Sequence, residues 1–256
     1  MRQLYGLVKF IFSIYAFVIF VVLMLLIFPF VLGVSLFGKI KGGNIIYAIC
    51  QRWADVWFCC CGIRQQNIYE TPHDNSRQYV FVFNHISYLD IPVLLKAIRK
   101  QHCRILGKAE MAKIPVFGFL YKYAVILVDR SSNAKRAASI SKLTSVIQNG
   151  MSVVIAPEGT FNTTHHPLKK FYDGAFRVAI ETQTPIKPVL FLDTFDRMHY
   201  NNLLSLTSGT SRVIFLEEVS VAGLTLNDIR MLKEKVYTLM EEKLICYQAS
   251  WIKKLA

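Results

Sequence analysis

Two residues five positions apart could carry out proton-transfer chemistry. The stretch from Val82 to Pro92 reads VFNHISYLDIP, so His85 follows an apolar run and Asp90 comes five positions later. A histidine can remove the proton of an alcohol near neutral pH. A carboxylate on its second ring nitrogen fixes the tautomer and stabilises the imidazolium. His85 and Asp90 could therefore act as a base and its orienting partner, without a nucleophilic side chain.

This spacing also has simpler interpretations. A strand can end in a capping residue such as Asn84, with His85 merely hydrogen-bonded in the structure. Ser87 lies two positions after His85, which leaves open a membrane thioesterase or lipase that uses the serine as nucleophile. The Gly-x-Ser-x-Gly pattern of one large hydrolase class is absent from the sequence. A lipid-binding protein without activity is a third possibility.

Polar residues also follow two other apolar runs. The segment Ala156-Pro157-Glu158-Gly159-Thr160 comes directly after SVVI, and Asp129-Arg130 comes directly after AVILV. Strand ends are where α/β proteins place functional groups. A guanidinium such as that of Arg130 can bind a phosphate through two parallel hydrogen bonds.

Four ordered blocks resemble the glycerolipid acyltransferase family, in particular the 1-acylglycerol-3-phosphate acyltransferases. The blocks are NHISYLD (84–90), GKAEMAKIPVFGFLYKYAVILVDR (107–130), APEGT (156–160) and TPIKPV (184–189). The resemblance spans roughly residues 75–195. It implies transfer of a fatty acyl chain from a thioester to the free hydroxyl of a lysolipid, most directly 1-acylglycerol 3-phosphate, which would give phosphatidic acid.

The resemblance also implies roles for individual residues. His85 would be the general base and Asp90 its partner, and backbone amides would stabilise the oxyanion. The implied substrate-binding residues are Asn84, Lys108, Arg130, Glu158, Gly159 and Thr160. No metal and no cofactor is implied, because acyl-CoA or an acyl carrier protein would serve as co-substrate.

One position departs from the family pattern. Family members commonly continue the third block with arginine, but this chain has Phe161 there. The headgroup of the acceptor is therefore open, and a different lysolipid, such as a lyso-aminolipid, is the alternative. Lys169 and Lys170 could supply the missing charge from the next segment, although a solvated pair is an equally good interpretation.

Alternating strand-like and helix-like segments predict an α/β fold. We expect a mixed, partly parallel sheet flanked by helices, with a membrane-associated helical segment at the amino terminus. The predicted strands are 79–83, 103–106, 124–128, 152–156, 186–192 and 211–219, and the predicted helices are 89–100, 133–150, 173–182 and the last 30 residues or so. We expect residues 1–70 to form the anchor and an interfacial helix, and residues 71–256 the catalytic domain.

The amino-terminal part predicts membrane association. No formal charge occurs between Lys9 and Lys39, and Pro29 and Gly33 suggest a break at which the chain could kink and lie along the interface. A tilted single span and a half-inserted hairpin are the two alternatives. The helix after it would place Trp53 and Trp57 in the headgroup layer, or else face the protein core.

Charge and cysteine content narrow the partners. A net charge of +13 suits membrane lipids, a phosphorylated acceptor or an acidic carrier, and no nucleic-acid-binding motif is present. The six cysteines form no disulfide framework and no metal-ligand pattern. We therefore expect the catalytic domain on the cytoplasmic face of a membrane, the bacterial inner membrane in the first instance.

Overall fold

The computed structural model describes residues 2–128 and 132–253, and Arg130 lies outside this range. The helices are α1 (Arg2–Ser35), α2 (Gly43–Cys60), α3 (Asp90–Ala97), α4 (Phe117–Ala124), α5 (Asn133–Gln148), α6 (Gly174–Glu181), α7 (Thr194–Arg197) and α8 (Ile229–Cys246). The strands are β1 (Ile63–Tyr69), β2 (Val80–Phe83), β3 (Cys103–Lys108), β4 (Val125–Val128), β5 (Ser152–Ile155), β6 (Ile186–Phe191) and β7 (Gly209–Phe215).

The strands form one seven-stranded mixed sheet in the order β1-β7-β6-β2-β5-β3-β4. The five strands from β6 to β4 are mutually parallel, β7 runs antiparallel to β6, and β1 is parallel to β7. The prediction of a mixed, partly parallel sheet is confirmed. Because β2, β5, β3 and β4 are parallel, the residues that follow them emerge at one edge of the sheet.

Helices cover both faces of this sheet. Residues of α1 to α4 pack on one face, against Phe81 and Phe83, and residues of α5, α6 and α8 pack on the other, against Val80 and Val82. All four residues of β2 are buried, which is why its sequence is apolar without alternation. The strand is therefore fixed from both sides at the point where it leads into His85.

Six of the seven strands coincide with predicted segments. The exception is β1, whose sequence IRQQNIY is largely polar and lies at the sheet edge, where three of its seven residues are exposed. This strand contributes residues 63–69 to the sheet, so part of the expected amino-terminal region belongs structurally with the domain. Gly150 adopts φ +80° after α5, as expected for the residue that ends a helix.

The amino-terminal segment is one helix, without the break that Pro29 and Gly33 suggested. α1 continues to Ser35, and five residues of π-helix (Gly38–Gly42) then lead into α2. α2 returns along α1, and the indole nitrogen of Trp57 donates a hydrogen bond to the carbonyl of Ala16 at 2.9 Å. The two helices form an α1–α2 hairpin.

The tryptophans of α2 face this hairpin and not an exterior layer, which corrects one of the two interpretations made from the sequence. Trp53 and Trp57 are buried, and both pack edge-on against Phe20, with ring centroids 4.8 and 5.3 Å away. Aromatic packing of this kind stabilises the hairpin beyond simple burial.

The outer side of α1 is apolar and exposed. Within the described residues, one helical stretch, Gly6–Ser35, is long and apolar enough to cross a membrane, and its 18-residue apolar window has a mean hydropathy of 3.1 with 11% of its residues buried. At 1.5 Å per residue, a helix of this kind exceeds the roughly 30 Å of a hydrocarbon core.

Candidate active site

His85 and Asp90 form a direct hydrogen bond at the sheet edge. His85 Nδ1 lies 2.8 Å from Asp90 Oδ2, and the same oxygen accepts from the backbone N–H groups of Ile86 at 2.8 Å and Ser87 at 2.9 Å. An ionised carboxylate can only accept, so Nδ1 carries the proton and Nε2 keeps its lone pair. Asp90 is fully buried, whereas the His85 side chain is 21% exposed. The base is thus oriented from behind and accessible in front.

The local sequence explains this geometry. β2 ends at Phe83, and the chain turns through a short loop before α3 begins at Asp90. A carboxylate in the first turn of a helix is favoured by the helix dipole. The same side chain closes the loop by accepting two of its backbone N–H groups, so the five-residue spacing places Asp90 beneath His85.

Asn84 is committed to the neighbouring strand. Its side-chain amide donates to the carbonyl of Phe191 at 3.0 Å and accepts from the N–H of Phe191 at 2.8 Å. Because these two hydrogen bonds hold the buried side chain against Phe191, Asn84 positions β2 against β6, and its contact with substrate stays a prediction.

Glu158 acts as a buried brace between two loops. One carboxylate oxygen accepts from the backbone N–H of His85 at 2.9 Å, and the other accepts from that of Lys169 at 2.8 Å. Burial raises the pKa of Glu158 to about 7, although the two N–H donors act in the opposite direction. The side chain shapes the site from below, and the backbone turns sharply after it at Gly159, which has φ +73°.

Ser87 is unsuited to be a nucleophile. Its hydroxyl is fully buried, donates to the carbonyl of Met198 and accepts from the N–H of Leu89 at 3.0 Å. A nucleophilic serine needs a base to take its proton. Here the proton is held by a carbonyl oxygen, so the hydroxyl fixes the loop.

Of the two cationic residues predicted to bind substrate, Lys108 lies within the described residues and Arg130 does not. Lys108 is the exposed last residue of β3 and pairs with Val128 of β4. β2 and β3 both pair with β5, so the strand that ends in Lys108 lies two strand spacings from the strand that precedes Asn84, about 10 Å between backbones. Arg130, two residues after Val128, lies outside the described residues, and its role stays a prediction.

A cluster of aromatic side chains packs beside His85, a feature that sequence analysis missed. The ring centroid of Phe161 lies 4.4 Å from that of His85, and Tyr88 packs edge-on against Phe161 at 4.8 Å. Tyr200 contributes a third ring, 6.5 Å from Phe161. We call Phe161, Tyr88 and Tyr200 the aromatic collar. Tyr88 lies within the NHISYLD block, but nothing in the sequence pointed to Tyr200.

The structure places the two lysines that could supply the missing positive charge in different surroundings. Lys169 Nζ donates to Thr160 Oγ1 at 2.7 Å and to the carbonyl oxygen of Phe161 at 3.4 Å. Lys170 is exposed and lines a cleft with Lys233 and Tyr237 of α8. Lys169 therefore belongs to the site, and Lys170 does not contact it among the described residues.

The acidic residue Asp193, which follows β6, has a structural role. Asp193 accepts three hydrogen bonds from Arg212, at 2.7, 2.9 and 2.7 Å.

Among residues 2–128 and 132–253, no group of three or more His, Cys, Asp and Glu side chains is placed to hold a metal ion.

Comparison with known proteins decides the family. The sequence model of the Acyltransferase family matches residues 63–192, which include β1 to β6 and every described residue of the His85 site up to Lys169. The chain belongs to the Acyltransferase family. The match starts at β1, in agreement with the place of that strand in the sheet.

Individual members of the family are similar to this acyltransferase over different lengths. The human 1-acyl-sn-glycerol-3-phosphate acyltransferase beta is 30% identical over 167 residues, which cover 64% of this chain and 59% of the human protein. The 1-acyl-sn-glycerol-3-phosphate acyltransferase of Haemophilus influenzae is 26% identical over 229 residues, covering 88% and 93%.

A solved structure shows the same fold. The 1-acyl-sn-glycerophosphate (LPA) acyltransferase PlsC from Thermotoga maritima superposes with a TM-score of 0.73 at 20% identity, over 99% of this chain and 100% of that chain. The agreement extends over both the sheet and the α1–α2 hairpin. The architecture of this acyltransferase is thus an established one.

Proposed function

We propose that this acyltransferase moves a fatty acyl chain from a thioester to the free hydroxyl of 1-acylglycerol 3-phosphate, giving phosphatidic acid. The observation that carries the proposal is the His85–Asp90 hydrogen bond at 2.8 Å, with a buried carboxylate behind an accessible imidazole. The names of the relatives support the choice of acceptor.

The proposed reaction needs no covalent intermediate on the protein. The acceptor hydroxyl gives its proton to His85 Nε2 while its oxygen attacks the thioester carbonyl, so the C–O bond forms. The tetrahedral intermediate then collapses, the C–S bond breaks, and the proton passes from His85 to the leaving thiolate. Asp90 holds the imidazole in place and balances its positive charge between the two steps.

The donor and the membrane setting belong to the same proposal. The thioester is carried by coenzyme A or by an acyl carrier protein, and both are anionic partners for a chain of net charge +13. We propose that the exposed apolar side of α1 anchors the enzyme in the membrane that supplies its lysolipid, with the catalytic domain on the cytoplasmic face.

A second candidate acceptor is a lysolipid with another headgroup, such as a lyso-aminolipid. The observation in its favour is the ring of Phe161 on His85, where the family pattern has a cation. Because burying a charge beside an apolar ring is unfavourable, the ring of Phe161 favours an acceptor whose headgroup carries less charge than a phosphate.

A panel of acceptors tests the proposal. Enzyme in native membranes is supplied with acyl-CoA or acyl carrier protein thioester, together with 1-acylglycerol 3-phosphate or lysolipids with amine-containing headgroups. The proposal predicts the highest kcat/KM for the phosphate acceptor with at least one of the two donors. A higher value for an amine-containing acceptor would favour the second candidate.

A further inference from the structure

Lys169 is tied to the catalytic base through one buried side chain. The carboxylate of Glu158 accepts from the backbone N–H of His85 with one oxygen and from that of Lys169 with the other. Glu158 is 1% exposed, so the bridge is rigid and shielded from water. The position of Lys169 relative to the base is thus fixed by the fold and not by a flexible surface loop.

The hydrogen-bond partners of the Lys169 ammonium group are neutral, while the buried Glu158 carboxyl interacts with its charge from nearby. Nζ donates to the hydroxyl of Thr160 at 2.7 Å and to the carbonyl oxygen of Phe161 at 3.4 Å. Within residues 2–128 and 132–253, Lys169 forms no ion pair with a carboxylate. A half-buried cation held by a hydroxyl and a carbonyl keeps its charge available for an anionic ligand.

Phe161 contacts both the base and this cation. Its ring packs on His85 with centroids 4.4 Å apart, while its backbone carbonyl accepts from Lys169. In 1-acylglycerol 3-phosphate, a short chain of atoms separates the reacting hydroxyl from the phosphate. An acceptor with its hydroxyl at His85 can therefore extend its phosphate past Phe161 toward Lys169.

We infer that Lys169 binds the phosphate of the acceptor and replaces the charge that Phe161 removes from the position after Thr160. The inference rests on the proposed function, because it assumes an acceptor with a phosphate. It makes Lys169 a headgroup-binding residue and Phe161 a packing residue for the base. The phosphate is a ligand that an ammonium recognises as a point charge.

Lys169→Gln in the full-length enzyme tests the inference, with Lys170→Gln as the matched control. The neighbouring lysine is exposed, lines the cleft beside α8, and loses the same charge on substitution. Lys169→Gln removes a charge-assisted hydrogen bond that contributes to the binding of the acceptor phosphate. The KM for 1-acylglycerol 3-phosphate should therefore rise roughly ten- to hundredfold. The KM for the thioester donor and the kcat should change little, and Lys170→Gln should leave all three unchanged.

Two further variants guard against a folding artefact. Lys169→Arg keeps the charge and should keep the acceptor KM within a fewfold of wild type. Phe161→Arg, added to Lys169→Gln, restores a cation next to Thr160 and should recover part of the lost acceptor affinity. Recovery by a second substitution cannot come from a misfolded protein.

The outcomes separate this inference from the proposed function. If the wild-type enzyme transfers acyl chains to 1-acylglycerol 3-phosphate but Lys169→Gln and Lys170→Gln have the same acceptor KM, the inference is overturned alone. An equal rise in donor and acceptor KM for Lys169→Gln also overturns it. If the wild-type enzyme does not use the phosphate acceptor, the proposed function fails and the inference fails with it.

Discussion

Replacing Asp90 by asparagine removes the negative charge behind His85 while preserving the shape of the side chain. Oδ2 accepts N–H groups from His85, Ile86 and Ser87, and an asparagine oxygen in the same place can accept all three. The substitution should therefore test the charge of Asp90 more than the structure of the loop.

The size of the effect follows from the distance. The carboxylate contacts the imidazole at 2.8 Å, and the charge centres of the two groups lie roughly 4 Å apart. At that separation, and with the effective dielectric constant of a partly exposed site, a unit charge stabilises the imidazolium by about 4 kcal/mol. This free energy corresponds to about a thousandfold in kcat, since each tenfold is about 1.36 kcal/mol.

Acyl transfer by purified Asp90→Asn enzyme, saturated with donor and acceptor, gives the test. Asp193→Asn is the matched control, because Asp193 also accepts three hydrogen bonds but contacts Arg212 and not the base. We expect Asp193→Asn to lower stability while leaving kcat near that of wild type. A loss of less than tenfold in Asp90→Asn, with a normal unfolding temperature, would refute a role for this charge in catalysis.

Two other substitutions test the site in different ways. Ser87→Ala should retain most acyl-transfer activity but reduce the free energy of unfolding by about 1–3 kcal/mol, since the carbonyl of Met198 and the N–H of Leu89 lose their buried partner. An acyl-enzyme trapped at Ser87 and detected by mass spectrometry would contradict this. Glu158→Gln tests the raised pKa of Glu158, because glutamine cannot titrate. Burial raises the pKa of Glu158 from its usual 4.5 to about 7. Between those two pH values, the folded protein therefore holds a proton that the unfolded chain has released. The stabilisation from this proton is complete below pH 4.5 and is lost as the pH rises through 7, on the order of 3 kcal/mol. Unfolding of the two proteins, each purified in detergent, should show that the stability of wild type falls relative to that of Glu158→Gln from pH 5 to pH 8. A stability difference that stays constant over this range would rule out the raised pKa.

Continuous apolar runs made most of the sheet predictable. β2, β5 and β6 are buried on both faces, so their sequences are apolar except for Ser152 and Lys187, and the flanking helices follow from their periodicity. β1 was missed because an edge strand with polar side chains resembles a loop. α4 was also missed, since its sequence FGFLYKYA follows directly on a loop and leads into β4 without a turn signal.

The end of α1 shows where local rules fail. Proline normally interrupts a helix because it lacks an N–H and crowds the preceding turn. α1 nevertheless continues through Pro29 to Ser35, and α2 packs along it. The position of Trp57 follows from the same packing, which joins residues distant in the sequence.

The base and its partner were predictable, and their surroundings were less so. His85 and Asp90 lie five positions apart, so the loop geometry that joins them is local. The aromatic collar brings together Tyr88, Phe161 and Tyr200 from separate loops, and no spacing in the sequence records that contact. Charge alone did not separate Lys169 from Lys170, but the direction in which each side chain points does.

The most direct test of the account is the acyl-transfer rate of His85→Ala. The enzyme is purified in detergent, its unfolding temperature is compared with that of wild type, and transfer is measured with saturating acyl thioester and 1-acylglycerol 3-phosphate. His85 provides the only proton acceptor that the proposed reaction uses, so folded His85→Ala should show transfer no faster than the uncatalysed background. Transfer at a rate comparable to that of wild type would contradict the assignment of His85 as the general base.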